Sequence, residues 1–413
     1  MSPRGVRDPK ANGRTRSTRL PAAERRAEIL RRSAKLFQQR GYTGVSIDDI
    51  GADIGVSGPA LYRHVAGKEA ILLAIGVEFL DRLLAATDAA LADAENAGPD
   101  LTRQRVIDAV VGVALDNPAE LTVTLRHMWS LSTDNFAQVS KRWIALGERC
   151  VPTIVAAHSN LNPKDAGLYV RAGGGALAGM AYALRNVPRQ RVVQLAATAM
   201  NAMLSQSLQP LTDESISIPA KGGWQRSSRR EQILETAIDL FRERGFRGVS
   251  MAEIAEAIGI TAAAPYRHFK NKEDILATAI VRTSERVTIG MNEALTVATS
   301  GEDALDRLLE NYIRIAVSNA DLFAVSTTEY HHIDDAAKAQ RRRAQQLFFE
   351  EWSHCLATVR PDLSSNEALV VIRAVTGMVT ESVRSRSLAR RPHLADDLAR
   401  LAHAVLATPP ASS

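Results

Sequence analysis

Apolar positions recur at helical spacing along most of the chain, and no alternating run long enough for a strand stands out. Ile29, Leu36 and Phe37 fall on one helical face, and the trio returns as Ile233, Leu240 and Phe241. Each of these helices should stop at a glycine following an arginine, Gly41 and Gly245. A second short helix opens at Ser46-Ile47-Asp48-Asp49 and at Ser250-Met251-Ala252-Glu253. There the serine caps and the acid three residues on reaches back. It buries Ile50 with Ile54, or Ile254 with Ile258. Gly55 and Gly259 then permit a tight turn, Ser57 or Thr261 caps a third helix, and that helix ends in Tyr62-Arg63-His64 or Tyr266-Arg267-His268.

These matches are one event. Residues 25–72 and 229–276 align without a gap at an offset of 204, with 22 of 48 positions identical. The period is too long and the copies too few for a solenoid, so the chain carries a duplicated domain. Helix, glycine-containing turn and short polar helix make a helix-turn-helix, the arrangement that sets a recognition helix in the major groove. The segments are 46–65 and 250–269. Pro265 stands where the first copy has Leu61, which predicts a shorter or shifted second recognition helix. Pro59 lies in the first turn, where proline is tolerated.

The remainder of each half is long helical pattern, broken at Gly98-Pro99, Asn117-Pro118, Asn162-Pro163, Val187-Pro188 and Arg360-Pro361. In the first half, the small-residue stretch Arg171 to Gly179 lies inside an apolar helix, with Arg373-Ala-Val-Thr-Gly377 at the corresponding place in the second. No strand precedes it and no Lys-Ser/Thr follows, so it predicts close helix–helix approach rather than a phosphate loop.

Composition narrows the class. The chain has 413 residues, 46% hydrophobic, 23% charged and only 5% aromatic, a balance that favours helix over sheet. No apolar run spans a membrane, and Leu369 to Val379 is short and interrupted by Arg373. The N-terminus is polar and basic with no apolar stretch behind it, so no signal peptide is expected. Cys150 and Cys355 cannot form a disulfide framework and fit a reducing cytoplasm, where they read as small buried hydrophobes. The formal charge of +5 resides in residues 1–19, where six basic residues stand against Asp8, and the rest of the chain balances. That segment, rich in Pro and Gly, reads as a disordered arm for phosphates or a minor groove, or equally as a solubilising leader.

Ile-Leu…Leu-Phe, Gly-Tyr/Phe, Val-Ser, Ile-Gly-Val/Ile, Tyr-Arg-His-Val/Phe and Lys-Glu…Ile-Leu, present twice, resemble the TetR/AcrR family of bacterial repressors. The resemblance covers roughly residues 23–83 and 227–287. It implies an all-α fold of two tandem halves, each a DNA-binding domain followed by a helical ligand-binding and dimerisation domain. The expected organisation is a basic arm (1–22), a first DNA-binding domain (23–83) and a first helical domain (84–208). A linker (209–226), a second DNA-binding domain (227–287), a second helical domain (288–408) and a tail (409–413) follow. The tandem form resembles actinobacterial double-TetR regulators, some linked to lipid or sterol uptake, which implies an apolar or acyl-type effector. The last two long helices, which form the family's dimer face, would here make an intrachain pseudo-dimer, and a homodimer of two chains stays open.

Carried onto this sequence, DNA contacts fall on Ser46, Ser57, Gly58, Ala60, Tyr62, Arg63, His64 and Lys68, and on Ser250, Thr261, Ala262, Ala264, Tyr266, Arg267, His268 and Lys272. Tyr62, His64, Tyr266 and His268 are expected on phosphate or sugar, with Lys68 and Lys272 neutralising phosphates. Arg63 and Arg267 could reach DNA or adjoining acids. A pocket is expected inside each helical unit. Candidates are Arg126, His127, Met128, Trp129 and Trp143 in the first, and Tyr312, Phe323, Glu329, Tyr330, His331, His332 and Trp352 in the second. Each could equally be core. His331-His332 with Asp334 and Asp335 could suggest a metal, but adjacent histidines rarely chelate together, and no cofactor or metal is expected. Hydrolase, metalloprotease, P-loop and dinucleotide motifs are absent from the sequence, so an enzyme is not expected. The reading is a ligand-released repressor on a double-stranded, non-palindromic operator, in the cytoplasm and away from membranes. The alternative is a ligand-blind architectural DNA binder.

Overall fold

The computed structural model describes residues 22–156, 165–182, 184, 186–209 and 228–408. Nearly all of the basic arm, the linker from 210 on, the Asn162-Pro163 break and the C-terminal tail lie outside the described residues. The described residues form α-helices and short 3-10 turns, with no strand among them.

The first half runs α1 (Ala22–Arg40), α2 (Ile47–Ile54), α3 (Gly58–Leu61), α4 (Lys68–Asp93), α5 (Pro99–Asp116), α6 (Pro118–Arg126), α7 (Thr133–Ala156), α8 (Ala166–Ala181) and α9 (Arg189–Leu204). The second runs α10 (Arg229–Arg244), α11 (Met251–Ala257), α12 (Lys272–Val297), α13 (Gly301–Ser318), α14 (Ala320–Thr328), α15 (Asp335–Val359), α16 (Ser365–Arg384), α17 (Arg386–Ala389) and α18 (Leu394–Leu406). The punctuation residues act as expected: Pro99 and Pro118 stand in the first turns of α5 and α6, Pro188 precedes α9, and α15 stops at Arg360. The connection before α13 is two residues shorter than that before α5, so the halves align at an offset of 202 from there on.

The long helices α4 and α12 tie each DNA-binding domain to its helical unit. Ile71, Leu72 and Ile75 of α4 are buried at its first turns, and Phe79, Leu80 and Leu83 carry the same buried face onward. The helix packs on α1, α5, α6 and α7. A domain boundary at residue 83 therefore falls inside one continuous helix, which works as a rigid lever rather than a hinge.

The halves meet along α8 and α16, the most extensive helix pair in the molecule, flanked by α9 against α18. The small residues carry this seam. A Cβ on Gly179 would overlap the Arg373 carbonyl oxygen, and one on Gly175 would overlap that of Gly377. A Cβ on Gly377 would in turn overlap the Gly175 carbonyl, so the two backbones touch where only glycine fits. Arg391, almost wholly buried, then crosses the seam: it donates to Asp165 of the first half and to Asp397, 2.9 Å, of its own. Arg191 pairs with Glu367 across the same seam.

Candidate nucleic-acid interface and cavity

Both helix-turn-helix segments are built by the same local chemistry. Ser46 and Ser250 each accept from the backbone N–H three residues on, 3.0 and 3.2 Å, while Asp49 and Glu253 accept from the serine N–H, 2.7 and 2.8 Å. Both capping boxes are thus complete. Ile50 and Ile254 are fully buried, with Ile54 and Ile258 half-buried. Ser57 stands at the cap position of α3, but its side chain makes no capping bond, and Thr261 precedes a turn rather than a helix.

The readers differ in form. The first is the four-residue α3 with Leu61 buried beneath it; the second, begun by Pro265, shrinks to the 3-10 turn Pro265–Arg267. Proline lacks the N–H that an α-turn would use there. Tyr62 and Tyr266 are each 57% exposed, and Arg63, His64, Arg267 and His268 are exposed beside them. Ala60 and Ala264 are half-buried, Ala262 is exposed and Gly58 is buried. The lysines depart from expectation. Lys272 Nζ donates to the Phe246 and Val249 carbonyls, 3.0 Å each, and lies over the Phe246 ring. Lys68 lies 4.3 Å over the Tyr42 ring, and burial, with the nearby Arg247 charge, pushes it down to about 8. Each lysine is therefore spent on its own domain instead of reaching outward.

Each DNA-binding domain docks on the other half. The loop after α1 brings Gly41, at φ +71, against the His331 ring, while the equivalent Gly245 lies against Trp129 with 3.0 Å to an added Cβ. Thr43 Oγ1 meets His332 Nε2 at 2.9 Å, and His332 stacks on Phe246 at 4.7 Å. Arg247 of the second domain donates to the Thr43 carbonyl of the first, 2.9 Å, so the two DNA-binding domains touch directly. Burial pushes His331 and His332 down to about 3 and about 4, and pushes the Glu329 carboxyl up to about 7.

A cavity of about 1190 Å³ opens between the helical unit of the first half and the second DNA-binding domain. Met128, Trp129 and Trp143, named from the sequence, line it, and the second half contributes residues 241–248, Val325, Thr328, Glu329 and Arg384. Arg126 instead sits in the interhalf core, 3.6 Å from Glu381 and 3.1 Å from the Tyr182 hydroxyl. His127 is buried beside His331. In the second half Tyr312, Phe323 and Trp352 do not border a chamber. They pack on one another and on Phe348, with Tyr312–Trp352 centroids 5.9 Å apart and Phe348–Trp352 5.1 Å. Tyr330 carries Arg341 over its ring at 4.7 Å. Cys355 is buried and Cys150 half-buried, its thiol pushed up to about 11 by burial. They are not equivalents, because Cys150 aligns with Trp352. Arg171, Arg242 and Arg384, also on the cavity wall, were not expected there; only Arg171, alone in an apolar helix, carried a signal in the sequence.

No helix among the described residues is long and apolar enough to cross a membrane. The family described as bacterial regulatory proteins, tetR family, matches residues 29–75 and 233–279. The transcriptional activator FasR of Mycolicibacterium smegmatis is 38% identical over 88 residues, 21% of this chain and 40% of that protein. The transcriptional repressor KstR2 of Rhodococcus jostii is 30% identical over 146 residues, 34% of this chain and 59% of that one. This chain thus spans 40% and 59% of the length of these two relatives. AcrR, a transcriptional regulator of Shigella flexneri, is 44% identical over 166 residues, covering 36% of this chain and 76% of its own length. Among solved structures, the ketosteroid regulator KstR2 of Mycobacterium tuberculosis aligns with a TM-score of 0.40 and 20% identity, over 44% of this chain and 94% of that one. With a relative of this identity covered over most of its length, and the family segment present in both copies, the chain belongs to the TetR family of bacterial regulatory proteins.

Proposed function

We propose that this protein is a one-chain, ligand-responsive transcription regulator that reads two unlike half-sites of a non-palindromic operator. One observation supports the reading: two different readers, at 57–64 and 261–268, belong to one chain whose halves pack at the Gly175–Gly179–Gly377 seam. The seam supplies the pairing that a single-domain protein would obtain by dimerising, and the shared chain keeps the second reader at high local concentration. A small molecule in the first-half cavity would favour another spacing of the readers and release the DNA, as for any ligand with unequal affinity for two states. The cavity supports this reading over a ligand-blind architectural role. The basic arm would add sequence-independent phosphate contacts.

The test is a footprint with reader variants. Tyr62→Ala with His64→Ala should weaken binding and lose protection over one half-site, and Tyr266→Ala with His268→Ala over the other. A palindromic footprint, weakened equally in both halves by either pair, would refute the two-reader assignment.

A further inference from the structure

The cavity has two kinds of wall. Along α7 and its neighbours it is apolar, with Met128, Val139, Trp143, Ile144 and Val151. Elsewhere it is basic, and six basic side chains against two acidic ones border it. Three of the arginines come from three helices of both halves: Arg171 on α8, Arg242 on α10 and Arg384 on α16.

Their partners do not balance them. Glu381, 1% exposed, serves Arg384 at 2.6 Å and Arg126 at 3.6 Å, and Arg171 acts on the same carboxylate through space. One buried carboxylate thus faces three guanidiniums. Arg171 makes no ion pair or hydrogen bond among the described residues. Arg242 donates to the Arg384 main-chain carbonyl and has half-exposed Asp321 at 3.5 Å, while the buried Nε atoms of Arg242 and Arg384 have no hydrogen-bond partner. The buried hydroxyls of Thr124 and Ser130, on the same wall, are also unpartnered. Buried cationic and polar groups without partners are costly, and an anion entering the cavity would offset that cost. The volume exceeds the ~300–1000 Å³ of most small-ligand sites, which favours a long apolar body over a compact anion.

We propose that the first-half cavity binds one long-chain amphiphile with an anionic head per chain, its apolar body along α7 and its head held by Arg171, Arg242 and Arg384. Carboxylate and phosphate heads share this chemistry. Arg242 belongs to the first helix of the second DNA-binding domain, and residues 241–248 of that domain form part of the cavity wall. Occupancy of the first half is therefore felt by the second reader. This rests on the regulator reading only for its effect on DNA.

The experiment uses the full chain and calorimetric titration with four probes of one chain length: dodecanoate, dodecyl phosphate, dodecan-1-ol and dodecyltrimethylammonium. The two anions should bind one per chain, and the alcohol and the cation at least tenfold more weakly. Stronger binding of dodecanoate or of dodecyl phosphate identifies which head the arginines prefer. Arg171→Met should weaken dodecanoate at least tenfold and leave dodecan-1-ol unchanged. Gly147→Phe, which puts on α7 the phenylalanine that α15 carries at Phe349, should abolish binding with a melting temperature no lower than the parent's. Equal binding of anion, alcohol and cation, an inert Arg171→Met, or binding that survives Gly147→Phe would overturn the proposal. Operator affinity measured on the same samples separates the two readings. Dodecanoate binding without any change in operator affinity supports the cavity assignment and refutes ligand release; operator binding with no amphiphile bound does the reverse.

Discussion

The two helical units share one fold and one offset, yet differ in what fills them. Where the first half has Val110, Leu121, Leu146, Gly147 and Cys150, the second has Tyr312, Phe323, Phe348, Phe349 and Trp352. Of the first set Gly147 borders the cavity, whereas the aromatics of the second pack on one another, with Trp352 fully buried and Tyr312 tied to Thr380 at 3.1 Å. The DNA-binding domains differ in the complementary sense. The apolar core of the first runs on through α4 into the interhalf core, while that of the second closes on itself and on Leu322 and Val325 of α14. The cavity lies against the second DNA-binding domain, whose core is the less integrated of the two.

The largest expected effect breaks the comparison at its centre. Trp352→Ala should cost about 3–5 kcal/mol, because it removes an indole packed on the Tyr312 and Phe348 rings and leaves a void. Cys150→Ala, at the aligned position on a half-buried site, should cost under about 1 kcal/mol. Denaturant melts of the two variants check this. Equal losses would mean that the two interiors are packed alike.

The seam provides the contrast in which the halves should behave alike. Gly175→Leu and Gly377→Leu each drive a side chain into the opposing helix backbone, so each should cost at least about 1–3 kcal/mol. Chemical denaturation and a loss of the Arg391 contacts to Asp165 and Asp397 would report separation of the halves. If one glycine tolerates leucine, the backbones do not touch there.

Much of this architecture is legible in the sequence, because it rests on local rules. The capping boxes at Ser46 and Ser250, the proline breaks and the small-residue seam each announce themselves through residue types with few alternatives. The shortened second reader follows from Pro265 alone. The occupancy of the two interiors does not, since a tryptophan on an apolar helix reads the same whether it lines a chamber or plugs one. Trp143 lines the cavity while Trp352 is packed on Tyr312 and Phe348, and both were candidates for a pocket. The inward turn of Lys68 and Lys272 was hidden for a similar reason: their acceptors, backbone carbonyls and a ring face, carry no sequence signal.

The smallest expected effect sharpens the comparison between the two docking contacts. The second DNA-binding domain docks on Trp129, which does not titrate, and on His332 through Phe246, while the first meets His331 at Gly41 and His332 at Thr43, with His127 behind them. Arg247, Lys272, Lys338 and Arg341 face this turn and, after burial, further disfavour charged histidines, while Lys68 and the charges of Arg126 and Arg384 act on His127. The histidines are held below their ordinary value, so their contribution to docking is present above about pH 6.5 and fades as pH falls toward about 4 and then about 3. Glu329 acts oppositely: its raised value, about 7, contributes below the ordinary carboxylate range and is lost as pH rises through 7. Three histidines outweigh one carboxyl, leaving a net loss of about 1 kcal/mol between pH 7 and pH 6. Hydrogen exchange in α1, whose domain meets both His331 and His332, should accelerate more over that interval than in α10, whose domain meets His332 alone and keeps Trp129, after correction for the intrinsic pH dependence of exchange. Equal acceleration in both helices would place the acid-sensitive contact elsewhere, and the docking of the first domain on His331 and His332 would lose its role in the asymmetry.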